Sequence, residues 1–304
     1  MNNSNNNLKL TLKKYAAIDI GSNGMRLLIA NIVEQEGKET QFNKSSLVRV
    51  PIRLGQDSFT VGEISDENIS RMIDAMNAFR LLMKVHKVEK HMAFATSAMR
   101  EANNALEVID IIKKETKIKI EVIDGKKEAL IIASTDLHHL LKSDKTYLYV
   151  DVGGGSTEFS LFSNGKLIVS KSFKAGTVRL LNEKVTHSLW QEMENWIKEK
   201  TNEYDDIILV GSGGNINKIF KMSGKMQDKP LSFLYLNSQY SFLNSLTYEQ
   251  RIFELALNPD RADVIIPALK IYINAMKWSG AGSIYVPKIG LSDGIVKAMY
   301  HNKI

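Results

Sequence analysis

Ala17-Ile18-Asp19-Ile20-Gly21-Ser22-Asn23-Gly24-Met25-Arg26-Leu27-Leu28-Ile29 is echoed later in the chain by Tyr149-Val150-Asp151-Val152-Gly153-Gly154-Gly155-Ser156-Thr157-Glu158-Phe159-Ser160-Leu161. Each stretch is an apolar run ending in an aspartate, a turn of Gly, Ser, Thr or Asn, and a second apolar run. In both, the aspartate stands two residues before the first glycine and seven before the next charged residue, Arg26 or Glu158. A strand, a tight turn and a second strand made twice predict two similar half-molecules facing each other across a cleft. Each wall would carry a turn able to grip phosphate through backbone N–H groups.

Outward from these hairpins the pattern stays α/β. A third strand is expected near Ser45–Leu54. Ile69, Met72, Ile73, Met76, Phe79 and Leu82–Met83 space a helix over Asp66–Val85, capped by Ser65 or Asp66. His91–Thr96 and Ile118–Ile123 read as strands, Asn104–Thr116 as a helix, and Glu128–Leu141 as a helix crossing to the second half. There Tyr147–Asp151, Glu158–Phe162 and Leu167–Phe173 repeat the three-strand meander. A helix over Thr186–Thr201, a strand over Asp206–Val210 and a helix over Asn215–Met222 follow. Tyr248–Ala256, Arg261–Trp278 and Leu291–Tyr300 read as helices and Ser283–Val286 as the last strand, while Lys221–Asn244 reads equally as loop or short strands. The sum is two mixed-sheet α/β domains.

The 304 residues suffice for two cores, and 44% apolar content fits a folded globular chain. No apolar run approaches the roughly 20 residues needed to cross a bilayer. Met1–Lys14 lacks a signal peptide's apolar stretch and is expected to be a flexible tail. With no cysteine, disulfides, thiolate catalysis and Cys-ligated metal are excluded, and a cytoplasmic location is expected. The net charge of +6 suits a polyanionic partner or simply a solvated basic surface. The lysine clusters are scattered without interleaved aromatics, which argues against specific nucleic acid binding. The histidines show no metal spacing, and His138-His139 reads as half-buried helix surface.

Gly153-Gly154-Gly155-Ser156-Thr157 lets the backbone approach an anion and aims N–H and hydroxyl groups at one point; a hairpin turn alone could also demand those glycines. Asp151 and Glu158 flank it. Two carboxylates beside a phosphate repel it unless a hard cation lies between, which points to Mg²⁺ or Mn²⁺ held by Asp151, Glu158 and substrate oxygens. Gly211-Ser212-Gly213-Gly214 precedes a helix, another place for an anion or merely a tight entry. Arg100 follows a strand end and could fork onto phosphate. By spacing alone Glu128 is only an acid suited to a first helical turn.

Taken together, six blocks resemble the exopolyphosphatase/guanosine-pentaphosphate phosphatase family, of the actin-like ATPase superfamily. They are Ala17 to Asn23, Ala95-Thr96-Ser97-Ala98-Met99-Arg100-Glu101-Ala102, Asp124-Gly125-Lys126-Lys127-Glu128-Ala129, Val150 to Glu158, Gly211 to Gly214, and Arg261-Ala262-Asp263. The resemblance implies two actin-like (ribonuclease H-like) domains with five-stranded mixed sheets. Domain I would span 15–130 plus 291–304 and domain II 131–290, in the short form of the family. It implies Glu128 as the catalytic carboxylate acting on water, and Asp151 and Glu158 as cation-holding acids. Phosphate contacts would come from Ser22, Asn23, Arg100, Gly153, Gly154, Gly155, Ser156, Thr157, Gly213, Gly214 and Arg261. The implied substrates are inorganic polyphosphate or guanosine penta- and tetraphosphate, and the implied assembly a homodimer. Lys127 and Gly24 depart from the family pattern, where an acid and a serine are usual. A small-molecule kinase of the same fold and a non-catalytic polyphosphate or alarmone sensor are the rival readings.

Overall fold

The computed structural model describes residues 10–133, 135 and 145–304. Strands β1 (Leu10–Ile20) and β2 (Met25–Gln35) pair antiparallel along their whole length, with Asp19 directly opposite Arg26. β3 (Gln41–Val50) lies outside β2, and α1 (Leu54–Thr60) and α2 (Asp66–Val85) follow. β4 (Lys90–Ala95) joins β1 in parallel, and after α3 (Ser97–Glu101) and α4 (Ala105–Thr116) β5 (Ile120–Val122) joins β4. The sheet order is β3-β2-β1-β4-β5. α2 starts where the sequence places it because the Ser65 hydroxyl accepts the Asn68 N–H and two acids occupy the first turn.

α5 (Gly125–Ala133) leads toward the second sheet. There β6 (Thr146–Val152), β7 (Thr157–Ser163) and β8 (Lys166–Phe173) repeat the meander, with Asp151 opposite Glu158. α6 (Thr177–Leu181) and α7 (His187–Thr201) precede β9 (Ile208–Ser212), which joins β6 in parallel. The chain continues through α8 (Gly214–Met222), β10 (Leu231–Ser232), α9 (Phe233–Ser245), α10 (Tyr248–Phe253), α11 (Pro259–Ala262) and α12 (Ile265–Ser279). β11 (Ser283–Tyr285) and α13 (Leu291–Tyr300) complete it. The order β10-β11-β9-β6-β7-β8 repeats the first sheet with one strand added.

Several expectations change. The second sheet has six strands because Leu231–Ser232 pairs antiparallel with β11. The rest of the undecided Lys221–Asn244 stretch is mainly α9, capped by the Ser232 hydroxyl on the Tyr235 N–H. β3 ends at Val50, and Leu54 begins a helix. The helix expected over Arg261–Trp278 is two, broken at Asp263-Val264. Leu10–Lys14, expected in the tail, belong to β1 because β2 runs on to Gln35 and supplies their backbone partners. Residues 1–9, His138-His139 and the far end of the helix expected to reach Leu141 lie outside the described residues.

Among the described residues three apolar cores result. Met72, Met76 and Phe79 of α2 pack under the first sheet, and Trp196, Ile197 and Ile271 pack under the second. The third lies between the halves. Leu28, Ile32 and Phe94 of one sheet and Tyr149, Phe162 and Val210 of the other close on Ile131 and Ile132 of α5 and on Leu291, Ile295 and Met299 of α13. Gly294 permits this crossing, since a Cβ there would run into the Ile131 carbonyl and come 2.8 Å from its Cγ2.

Candidate active site

The two turns are built alike. Gly21 N–H donates to the Gly24 carbonyl at 3.1 Å and Gly153 N–H to the Ser156 carbonyl at 3.0 Å. A short helix then braces each from behind. In the first half the Gly55 N–H, at the start of α1, donates to the Ser22 carbonyl at 2.7 Å. In the second, the Thr177 N–H holds the Gly153 carbonyl at 3.0 Å and the Val178 N–H the Gly154 carbonyl at 2.8 Å. Arg179 Nε holds the Gly155 carbonyl at 2.7 Å. A trans peptide points its N–H opposite to its C=O. The N–H groups of Gly154, Gly155 and Ser156 are thus turned away from α6, and none has an acceptor among the described residues. All three residues line a cavity of about 290 Å³. The turns also touch each other: a Cβ on Gly154 would lie 2.9 Å from Ser22 Cβ, and one on Gly155 2.9 Å from Ser22 Oγ.

Asp19, Glu128, Asp151 and Glu158 bring carboxylates into that cavity, besides Asp293, which is paired with Lys44. Asp124 begins the turn that brings Glu128 in, its side chain accepting the Lys127 N–H at 2.7 Å. Gly125 lets α5 press against β8, since a Cβ there would lie 2.5 Å from Ser172 Cβ. Glu158 Oε1 accepts from Ser156 at 2.5 Å and from Ser172 at 2.8 Å. Asp151 Oδ2 accepts from Ser212 at 3.2 Å, and Asp19 pairs with Arg26 at 3.0 Å. Glu128 Oε2 is buried with no hydrogen-bond partner among the described residues.

Burial dominates their acidity. It lifts the Asp151 carboxyl to about 6, against Arg26 and the Ser212 hydroxyl, with Asp19 adding to the rise. Burial lifts Glu158 to about 7, against the Ser156 hydroxyl and with Asp151 adding to it. Glu128 is pushed well above the carboxylate range by burial and then by Glu158, Asp151 and Asp19. Charge repulsion of this kind is what a bound divalent cation relieves. Among the described residues no three His, Cys, Asp or Glu side chains form a closed metal cage. One or two carboxylates plus water and phosphate oxygens is the donor set Mg²⁺ takes, and Asp151 and Glu158 fit it.

Opposing the acids, Arg26, Arg49 and Arg261 enter the same cavity. Arg261 is the least comfortable of them: burial and the nearby Arg49 and Arg26 lower its pKa. Gly214 makes room for them, since a Cβ there would lie 3.1 Å from Arg261 Nη2 and 3.6 Å from Arg26 Nη2. Gly213 holds φ +119, a conformation that favours glycine.

Most of the expected site converges here: Ser22, Asn23, Gly153, Gly154, Gly155, Ser156, Gly213, Gly214, Arg261 and the acids all line one space. Two residues are placed otherwise, and a third, Asn23, lines the space with its amide already engaged. The Thr157 hydroxyl faces away and donates to the Ala175 carbonyl. Arg100 does not line the cavity; its guanidinium donates to the Ile123 carbonyl at 2.6 Å and to Ser97 at 3.2 Å. Its charge still reaches Glu128 and Glu158, whose acidity it strengthens. Asn23 spends its Nδ2 on the Asp260 carbonyl at 3.0 Å, leaving a buried Oδ1 with no partner among the described residues.

The departures also find a place. Lys127 points outward, paired with Glu121 and lying 5.1 Å over the Phe94 ring. Gly24 gives passage to Arg49, whose Nη2 would be 3.2 Å from a Cβ there. Ser172, Arg49 and Arg179 carry no local signal, because their partners are distant in sequence. Asp19 was discoverable as the counterpart of Asp151 in the repeat.

The Ppx/GppA phosphatase family model matches residues 32–303. Over 297 residues the chain is 30% identical to the bifunctional 3-dehydroquinate synthase/phosphatase of Fusobacterium nucleatum, covering 89% of this chain and 44% of that protein. The chain thus spans less than half of that relative. It is 21% identical over 303 residues to exopolyphosphatase 1 of Mycobacterium bovis, covering 93% of this chain and 87% of that one. A crystal structure of an exopolyphosphatase from Cytophaga hutchinsonii superposes with a TM-score of 0.83 at 26% identity, covering 95% and 98% of the two chains. The Aquifex aeolicus family member shares the fold, with a TM-score of 0.74 at 23% identity over 96% of this chain and 99% of that one.

Proposed function

The chain belongs to the Ppx/GppA phosphatase family, and from that footing we propose that it releases the terminal phosphate of inorganic polyphosphate by in-line attack of water. The observation that carries this reading is Glu128 Oε2, a buried acceptor without a partner among the described residues, in the wall of the cavity that also holds the N–H groups of Gly154, Gly155 and Ser156, likewise without acceptors among those residues. A water donating to Glu128 would be oriented and, as it attacks, would give up its proton to that carboxylate. The glycine-turn N–H groups and the Arg26, Arg49 and Arg261 charges would meet the negative charge that grows on the phosphoryl oxygens. Asp151 and Glu158 would hold Mg²⁺, which supplies charge neutralisation at those oxygens when bound.

Guanosine pentaphosphate is the second substrate this reading admits, because its terminal phosphoanhydride presents the same group to the turn. The sensor alternative loses its main support, since Lys127 lies outside the cavity. Phosphate release is measured with short polyphosphate, long polyphosphate and guanosine pentaphosphate, with Mg²⁺, for wild type and Glu128→Gln. The variant is expected to be slower by about 10²–10⁴-fold. Wild type without release on any of the three overturns the reading.

A further inference from the structure

We propose that Arg179 is a positioning residue for this reaction, acting by turning the Gly155–Ser156 peptide so that the Ser156 N–H faces the substrate phosphate. The inference rests on the phosphatase reading above and extends it to a residue outside the six blocks.

Arg179 sits on α6, buried to 8% exposure, and does not line the cavity. Its guanidinium makes three contacts, each with a different part of the fold. Nε donates to the Gly155 carbonyl at 2.7 Å, Nη2 donates to Glu101 Oε2 at 2.5 Å, and the plane lies 3.8 Å over the Phe59 ring. Glu101 ends α3, and Phe59 belongs to α1, so two of the contacts reach the first half of the molecule. The planar fork is thereby fixed by stacking and by an ion pair before it touches the turn.

The turn needs this third brace. The carbonyls of Gly153 and Gly154 are held by the backbone N–H groups of Thr177 and Val178, but α6 has no backbone N–H for Gly155. A glycine peptide held only at one side can flip, and a flip would aim the Gly155 carbonyl, a partial negative charge, toward the phosphate. Arg179 supplies the missing donor from its side chain. The trans geometry then commits the Ser156 N–H to the cavity beside those of Gly154 and Gly155. Ser156 also donates through its hydroxyl to Glu158, so the same peptide links the anion-facing N–H groups to an acid that would hold the cation.

The test separates the carbonyl bond from the ion pair. Arg179→Lys keeps the charge near Glu101 but has no planar fork to serve both partners. Glu101→Gln removes the ion pair and leaves Nε free to hold Gly155. Affinity for inorganic tripolyphosphate with Mg²⁺ is measured by calorimetry, and kcat and KM by phosphate release. Arg179→Lys is expected to bind tripolyphosphate at least about tenfold more weakly and to lose about 100-fold in kcat, the scale of one lost anion-hole donor. Its pH profile should keep the wild-type shape, and Glu101→Gln should lose less than about threefold in either measure. The Ser156 amide signal, followed by ¹⁵N NMR, should shift on tripolyphosphate addition in wild type and stay nearly still in Arg179→Lys. Equal losses in Arg179→Lys and Glu101→Gln, or a wild-type Ser156 shift in Arg179→Lys, overturn the proposal. A wild type that binds tripolyphosphate without releasing phosphate would refute the functional reading alone, and the binding comparison would still decide the role of Arg179.

Discussion

Glu158→Gln should make the metal-free protein more stable above neutral pH while abolishing phosphate release. In the folded chain burial raises the Glu158 carboxyl from 4.5 to about 7. Between those values the folded state keeps a proton that the unfolded chain has released, so stability is greatest below the lower value and falls as pH rises through the upper one. At about 1.4 kcal/mol per tenfold change in proton activity, the whole loss by pH 8 is about 3–4 kcal/mol, part of it shared with the neighbouring Glu128. Gln cannot ionise, yet its carbonyl can still accept from the Ser156 and Ser172 hydroxyls that Glu158 Oε1 holds at 2.5 and 2.8 Å. Urea unfolding of both proteins in EDTA at pH 5 and pH 8 reads the difference. The advantage of the variant should widen by about 2–3 kcal/mol between the two pH values. Parallel stability curves across that range would refute the argument that burial of this acid is held against the folded state.

Gly155→Ala should cost about 1–3 kcal/mol and reduce phosphate release more than tenfold, as overpacking does. Its Cβ would meet the Phe59 ring and lie 2.6 Å from Ser97 Cβ, which urea unfolding and a release assay would check. Gly294→Ala should lose activity along with about 1–3 kcal/mol of stability, because α13 must move off the Ile131 carbonyl and α5 carries Glu128. Phe79→Ala, in the core beneath the first sheet, should cost about 3–5 kcal/mol while the folded fraction keeps its kcat. Since burial and then Glu158, Asp151 and Asp19 hold the Glu128 carboxyl well above its ordinary range, the release rate should climb with pH toward alkaline values. Saturating Mg²⁺ should move that climb to lower pH, and pH–rate profiles at two Mg²⁺ concentrations measure the shift.

The repeat was legible because each hairpin is local: Asp19 faces Arg26 and Asp151 faces Glu158 across strands joined by four residues. The helix Asp66–Val85 was legible because its apolar stripe and its cap are both written within it. α1 and α6 were not. Each is too short for a periodic pattern, and each acts through bonds to a turn more than twenty residues earlier. α9 hid for another reason: its Asn, Ser and Tyr residues read as loop, and only Leu236 and Leu243 are buried. For the site, residue type picked out acids and glycines that line one cavity but could not orient side chains. Thr157 has the right chemistry and turns away, and Arg100 acts on the acids through its field rather than by lining the cavity.

The position of α13 bears on the order in which the molecule is made. Residues 291–300 complete the core that the first sheet shares with the second, so a growing chain leaves that core incomplete until they emerge. Both glycine turns, with Asp19 opposite Arg26 and Asp151 opposite Glu158, can form before then. The seat of α5 cannot, because Gly294 is one wall of it. On the proposed mechanism a nascent chain would hold its phosphate cradle without a settled Glu128, and hydrolysis would wait for the return of the distal helix. Closing so distant a contact is slow and leaves apolar surface exposed meanwhile, which makes this interval the one in which a chaperone would matter most.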